Sequence, residues 1–201
     1  PYKSESITDF WRRWHMSLST FLRDYLYIPL GGNRNGNART YVNLMLTMVI
    51  GGLWHGASWN FVIWGGIHGG MLSLERMMGK NSFYGTWPKP LKIAITFFIL
   101  LITWVFFRAE TFEVATRYLA VMFGAGPQLV STAPLLNAEM LRNFNMVQFI
   151  VCALGVWAMP NTQTILHKFV WWKALIGLVL FVLAIAMMFT RGHSPFLYFQ
   201  F

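Results

Sequence analysis

Among the side chains that can carry chemistry in this chain, the five histidines stand out. An unperturbed imidazole titrates near pH 6.5, which makes it the natural general base close to neutrality. His55 lies in the segment Gly51-Gly52-Leu53-Trp54-His55-Gly56-Ala57-Ser58-Trp59-Asn60, inside a stretch (41–74) that contains no Asp, Glu, Lys or Arg. A titratable group at membrane depth costs a few kcal/mol or more unless it faces protein or a watery cavity, so its presence there reads as a functional site. His68 lies further along the same stretch. His15 falls four residues after Trp11 and three before Leu18, on the apolar stripe of an amphipathic first helix. His167, beside Lys168, and His193, in the tail, read as interfacial residues.

Spacing limits what these rings can do together. On one straight helix, thirteen residues separate His55 from His68 by about 19–20 Å of rise and roughly 220° of rotation. They cannot then serve one substrate unless the helix breaks. His55 follows a glycine pair and precedes Gly56, which clears space around the ring, and Trp59 at i+4 shares its face. Each of His15, His55 and His68 has two readings: an acid–base group, or a core histidine bonded to a neighbouring helix. Ser58 stands at i+3 from His55, but no nearby acid completes a triad. The His55/His68 spacing is not that of a one-face metal pair. Direct transfer needs the fewest further residues: His55 deprotonates an acceptor hydroxyl, which attacks an acyl thioester.

The elements that must hold these groups are helical and apolar. Hydrophobic residues make up 56% of the chain and charged residues 11%, against roughly 25% charged in soluble domains. This composition indicates an all-α integral membrane protein. The net charge of +9 fits Lys and Arg facing anionic lipid rather than nucleic acid. Ten Trp and seven Tyr suit an aromatic belt. The single cysteine, Cys152, excludes an internal disulfide framework and reads as a small buried hydrophobe. Because it opens Pro1-Tyr2-Lys3, the sequence reads as the carboxyl-terminal part of a longer protein or as a truncated product.

Residues 5–28 read as one interfacial amphipathic helix, with a capping-box spacing at Ser6-Ile7-Thr8-Asp9 and a stop at Pro29, Gly31 and Gly32. Residues 31–37 form a basic, turn-rich loop with no preceding strand, so it is not a nucleotide fingerprint. Residues 41–74 exceed the roughly 20 residues of one span. They suit two helices broken near Gly51-Gly52 or one long tilted helix. Glu75, Arg76 and Lys80 mark the return to water. Further spans are expected at about 91–107, 145–159 and 170–190. Between the first two, Glu110, Glu113 and Arg117 suggest a short surface helix, ended by Gly124, Gly126 and Pro127. The clustering of Arg12, Arg13, Arg23, Arg34 and Arg39 leans toward a cytoplasmic face for residues 1–40.

Two signatures carry a resemblance. The first is Phe10-Trp11-Arg12-Arg13-Trp14-His15-Met16-Ser17-Leu18-Ser19, followed by Phe21-Leu22-Arg23-Asp24-Tyr25-Leu26-Tyr27-Ile28-Pro29-Leu30-Gly31-Gly32. The second joins Gly52-Leu53-Trp54-His55-Gly56 to Trp59-Asn60-Phe61 and Gly65-Gly66-Ile67-His68-Gly69. Together they resemble the membrane-bound O-acyltransferase (MBOAT) family, and within it the bacterial alginate O-acetyltransferase branch. The end of the chain, Ser194-Pro195-Phe196-Leu197-Tyr198-Phe199-Gln200-Phe201, resembles the family's carboxyl terminus.

The resemblance implies an MBOAT-type multi-helix bundle, here its carboxyl-terminal portion as a single membrane domain over residues 1–201, in the bacterial inner membrane. It places the family's catalytic histidine on His55 and its second signature histidine on His15. It also implies a tunnel, shaped by Trp54, Trp59 and Asn60, between a cytoplasmic thioester donor such as acetyl-CoA or an acyl carrier and an acceptor on the far side. The donor is a co-substrate; no bound cofactor or metal is implied. The acceptor would be an exported polysaccharide such as alginate, or a periplasmic acetyltransferase partner that relays the acyl group. Two other readings of the same residues are a transporter or channel, with His55 as a proton-relay group in a broken helix, and a passive subunit of an exopolysaccharide export complex.

Overall fold

The computed structural model describes residues 1–79, 85–125, 142–158 and 170–190, and all regular structure among these residues is helical. The chain divides into two units, Pro1–Arg142 and Asn143–Phe201.

In the first unit, α1 spans Ile7–Arg13 and α2 spans Met16–Leu22, running on into a π-helical turn over Arg23–Tyr27. Ser6 caps α1 by accepting from the Asp9 amide at 3.0 Å, and the Asp9 carboxylate accepts from the Glu5 amide at 3.2 Å. The capping signal in the sequence is therefore used. The single helix expected over 5–28 is not formed. Trp14 is extended, and His15 sits in the left-handed region at φ 48°, ψ 46°. Such a conformation costs a non-glycine residue about 1–2 kcal/mol and persists only where surrounding contacts enforce it. Here Phe10 stacks on Trp14 at 5.5 Å, and α1 is buried through Ile7, Phe10 and Trp11.

After α2 the chain turns through Gly31 (φ +104°) and Gly32 (φ +54°). The buried Asn43 amide holds this turn, donating to the carbonyls of Leu30 at 3.2 Å and Gly32 at 2.9 Å. The helices α3, Gly36–His55, and α4, Trp59–Met78, then form a hairpin across a three-residue connection. The break thus falls at Gly56-Ala57-Ser58, not near Gly51-Gly52. Those glycines serve packing instead. A Cβ at Gly52 would run into the Phe61 carbonyl, one at Gly65 into the Met48 carbonyl, and one at Gly69 would lie 2.9 Å from the Met45 Cα. Small residues at these points let two helices approach backbone to backbone. The turn forms because Ser58 caps α4, its Oγ accepting from the Asn60 amide at 3.3 Å.

Helix α5, Lys89–Arg108, starts behind Pro88 with Pro90 in its first turn, where a missing N–H is harmless. It matches the expected span at 91–107. Among the described residues it is the one helix long and apolar enough to cross a membrane; Asn145–Ala158 and Trp171–Ala186 are shorter apolar stretches. The expected short helix after it is α6, Phe112–Met122, capped by Thr111 and ended at Gly124 (φ +76°). The core of the unit joins α1, α3, α4, α5 and α6 through Ile7, Phe10, Trp11, Met48, Trp64, Leu100, Phe106 and Ala115.

The second unit contains α7, Asn143–Ala158, and α8, Trp171–Thr190, close to the spans expected at 145–159 and 170–190. Cys152 is exposed on α7, not buried as expected. Its neighbours Phe149, Val151 and Leu154 on the same helix are exposed too. His167, His193, Gly126 and Pro127 lie outside the described residues.

Candidate active site

The break that splits the first helix and the break that splits the apolar stretch meet. His15 stands between α1 and α2, and His55 is the last residue of α3; their ring centroids are 6.4 Å apart. Four aromatic rings surround the half-buried His55: Trp54 at 5.1 Å, Phe107 at 5.0 Å, Trp64 at 5.7 Å and Phe61 at 6.3 Å. Trp64 and Phe107 meet it nearly edge-on, at 88° and 76°. Trp14 packs against His15 at 6.2 Å. Two imidazoles from separate elements therefore meet, His55 half-buried among aromatic rings and His15 exposed at its edge, not turned into an apolar stripe as expected.

His68 is placed differently. It is 1% exposed, stacked on Phe10, and its Nδ1 accepts from the Trp11 indole N–H at 3.2 Å. An accepting Nδ1 puts the proton of the neutral ring on Nε2. The Trp64 ring stands against both His55 and His68, 5.7 Å from the first and 4.9 Å from the second. Because the helix breaks after His55, the two histidines lie on opposite arms of the hairpin, yet His15, not His68, is the imidazole packed against His55.

The other residues named from the sequence take distinct positions. Trp54 and Trp59 are 68% and 76% exposed at the α3–α4 turn. Trp59 opens α4 and so does not share a helical face with His55. Asn60 is buried, and its amide donates to the Ala109 carbonyl at 2.8 Å, tying the start of α4 to the end of α5. That tie fixes Phe107, two residues earlier, against His55. Ser58 is occupied as a helix cap.

Glu75 is not at the water boundary. It is buried on α4, and its two carboxylate oxygens accept from the backbone N–H groups of Ile7 at 2.7 Å and Thr8 at 2.9 Å. It thus caps the N-terminus of α1, where unsatisfied N–H groups and the helix dipole favour an anion. The sequence alone does not mark Trp64 or Phe107, and it puts Glu75 at the water boundary. One signal was available for two of them: Trp64, His68 and Glu75 lie four and seven residues apart, on one face of a helix that starts at Trp59.

The two signature segments thus meet, with an imidazole from each. Residues 1–114 match the sequence model of the MBOAT, membrane-bound O-acyltransferase, family, and the chain belongs to that family. Across its whole length it is 42% identical to a probable alginate O-acetylase of Pseudomonas putida, covering 45% of that protein. It is 39% identical to the probable alginate O-acetylase of Azotobacter vinelandii, covering 46%, and 38% identical to a peptidoglycan O-acetyltransferase of Helicobacter pylori, covering 42%. The chain spans a little under half the length of these curated relatives.

Proposed function

We propose that this chain is the histidine-bearing part of a multi-pass inner-membrane O-acyltransferase that acetylates an exported polysaccharide such as alginate. The observation that carries the reading is the 6.4 Å approach of His15 to His55, formed by two helix breaks in a chain whose relatives are named O-acetylases. An imidazole is the right group for this step. His55 takes the proton of an acceptor hydroxyl as its oxygen bonds to the carbonyl carbon of an acyl thioester. The carbon–sulfur bond then breaks, and the leaving thiolate takes up the proton held by His55, which restores the neutral base. General-base assistance of this kind contributes about 10²–10⁴-fold. His15, with its ring centroid 6.4 Å from that of His55, supports the base by helping to orient the acceptor hydroxyl.

The donor is a thioester such as acetyl-CoA or an acylated carrier. The acceptor is the polysaccharide itself, or a periplasmic acetyltransferase that relays the group. Trp54, packed on His55 at 5.1 Å, and Trp59, exposed at the same turn, line the approach to His55 in this reading, with Asn60 holding the turn against α5.

Acetyl transfer by full-length protein carrying His55→Ala tests the assignment. The expected result is a loss of at least about 100-fold with the protein correctly inserted. Undiminished transfer would sink the base role. Transport of the sugar without consumption of thioester would instead favour a transporter.

A further inference from the structure

The catalytic reading leaves the buried carboxylate of Glu75 unused. It lies toward the end of α4 distant from His55, since Trp64, the α4 residue against His55, precedes it by eleven residues. That is about 16 Å along a helix axis, so Glu75 touches no group near the reaction. A buried charge nevertheless needs compensation, and Glu75 finds it in α1.

α1 is joined to α4 by two buried polar contacts. Glu75 accepts from the Ile7 and Thr8 amides, and His68 accepts from the Trp11 indole. As the α1 number rises from 7 to 11, the α4 partner falls from 75 to 68, and the Trp11 ring also meets Trp64 at 5.7 Å. The two helices therefore run antiparallel, with their relative position set along α4. The next turn of α1 ends in the break at His15. The carboxylate fork fixes where α1 starts, the indole–imidazole bond fixes its next turn, and the break then delivers His15 to His55. These hydrogen bonds add directional constraints on the register that the hydrophobic effect, being non-directional, does not supply.

We infer that Glu75 is a positioning residue: together with the Trp11–His68 bond it sets the register of α1 on α4 and so holds His15 against His55. This rests on the acyltransfer reading for its purpose, not for its geometry. Its sequence separation from Ile7, 68 residues, makes it a long-range tie between α1 and α4.

Two measurements on the full-length protein test it. The first is independent of activity. In a version otherwise free of cysteine, His15→Cys and His55→Cys are linked with a short bifunctional thiosulfonate reagent, with and without Glu75→Ala. The cross-link is expected to form readily with Glu75 present and to fall severalfold with Glu75→Ala; an unchanged yield overturns the inference. The second is kinetic. Glu75→Ala is expected to lower kcat on the order of 10- to 100-fold, as a shift near 1 Å can, with the donor KM within about twofold. In a His15→Gln background the same change is expected to cost less than about twofold, because both changes then remove one shared effect. Equal losses in both backgrounds, or a silent His15→Gln, overturn the inference. Glu75→Gln keeps one acceptor oxygen over α1 and is expected to recover much of both signals; it also supplies the folded comparison if Glu75→Ala does not insert. An active His55→Ala with a Glu75-dependent cross-link refutes the base role of His55 and leaves the register. An inactive His55→Ala with a Glu75-independent cross-link does the reverse.

Discussion

Gly65 and Gly66 are adjacent on α4, yet alanine should act on them in opposite directions. A Cβ at Gly65 would run into the Met48 carbonyl and lie 2.9 Å from the Val49 Cα, both backbone atoms of α3. A Cβ at Gly66 would meet nothing within 4 Å among the described residues. Both substitutions gain the same helix preference of alanine over glycine, about 0.5–1 kcal/mol, so that contribution cancels between them. What remains is the cost of forcing α3 and α4 apart, typically about 1–3 kcal/mol for an overpacked contact. Gly66→Ala should therefore be neutral or slightly stabilising, and Gly65→Ala less stable than it by about 1–3 kcal/mol. The displacement also moves Trp64, the neighbour of Gly65, away from His55, so Gly65→Ala should lose acetyl transfer on the order of tenfold or more while Gly66→Ala retains it. The assay is the thermal midpoint of detergent-solubilised full-length protein, read by fluorescence-detected size exclusion, alongside acetyl transfer. Equal midpoints and equal rates for the two variants would refute the claim that these glycines permit the hairpin's close approach.

Two further substitutions probe the site's supports. Replacing Asn43 by Ala removes both bonds that hold the Leu30 and Gly32 carbonyls; the expected loss is about 1–3 kcal/mol, seen as a lower thermal midpoint without a change in the donor KM. His15→Gly and His15→Ala both delete the imidazole and should lose activity alike, but glycine accepts the left-handed φ of 48° without strain. The glycine variant should therefore be the more stable of the two, by about 1 kcal/mol, in the same thermal assay.

How far the site was legible depends on what kind of signal each residue leaves in one dimension. Helices α5, α6, α7 and α8 lie close to where apolar runs and their flanking polar residues put them, because hydropathy and caps are local. His55 was legible for the same reason: a charge-free segment makes one imidazole conspicuous. The break at His15 was not. Trp11, Trp14 and Leu18 keep helical spacing straight through it, and the left-handed turn is imposed by burial of α1 against α4, which overrides local preference. Gly51-Gly52 misled for a related reason. Glycine pairs mark either a break or a close helix contact, and only the partner backbone of Phe61 decides for contact.

Glu75 shows the limit most clearly. At the end of an apolar run a carboxylate reads as the water boundary, and its true partners, the Ile7 and Thr8 amides, carry no side-chain signature at all. Backbone donors at a helix start are the same whatever residues bear them, so no inspection of the sequence around Glu75 could name them. Placing the break after His55 does reveal something, however. Once α4 is known to begin at Trp59, residues 64, 68 and 75 fall on one face. That face carries an indole against His55, an imidazole bonded to Trp11 and a carboxylate over the start of α1. A single correctly placed helix boundary therefore turns three unrelated polar residues into one line of contacts that ends at the paired histidines.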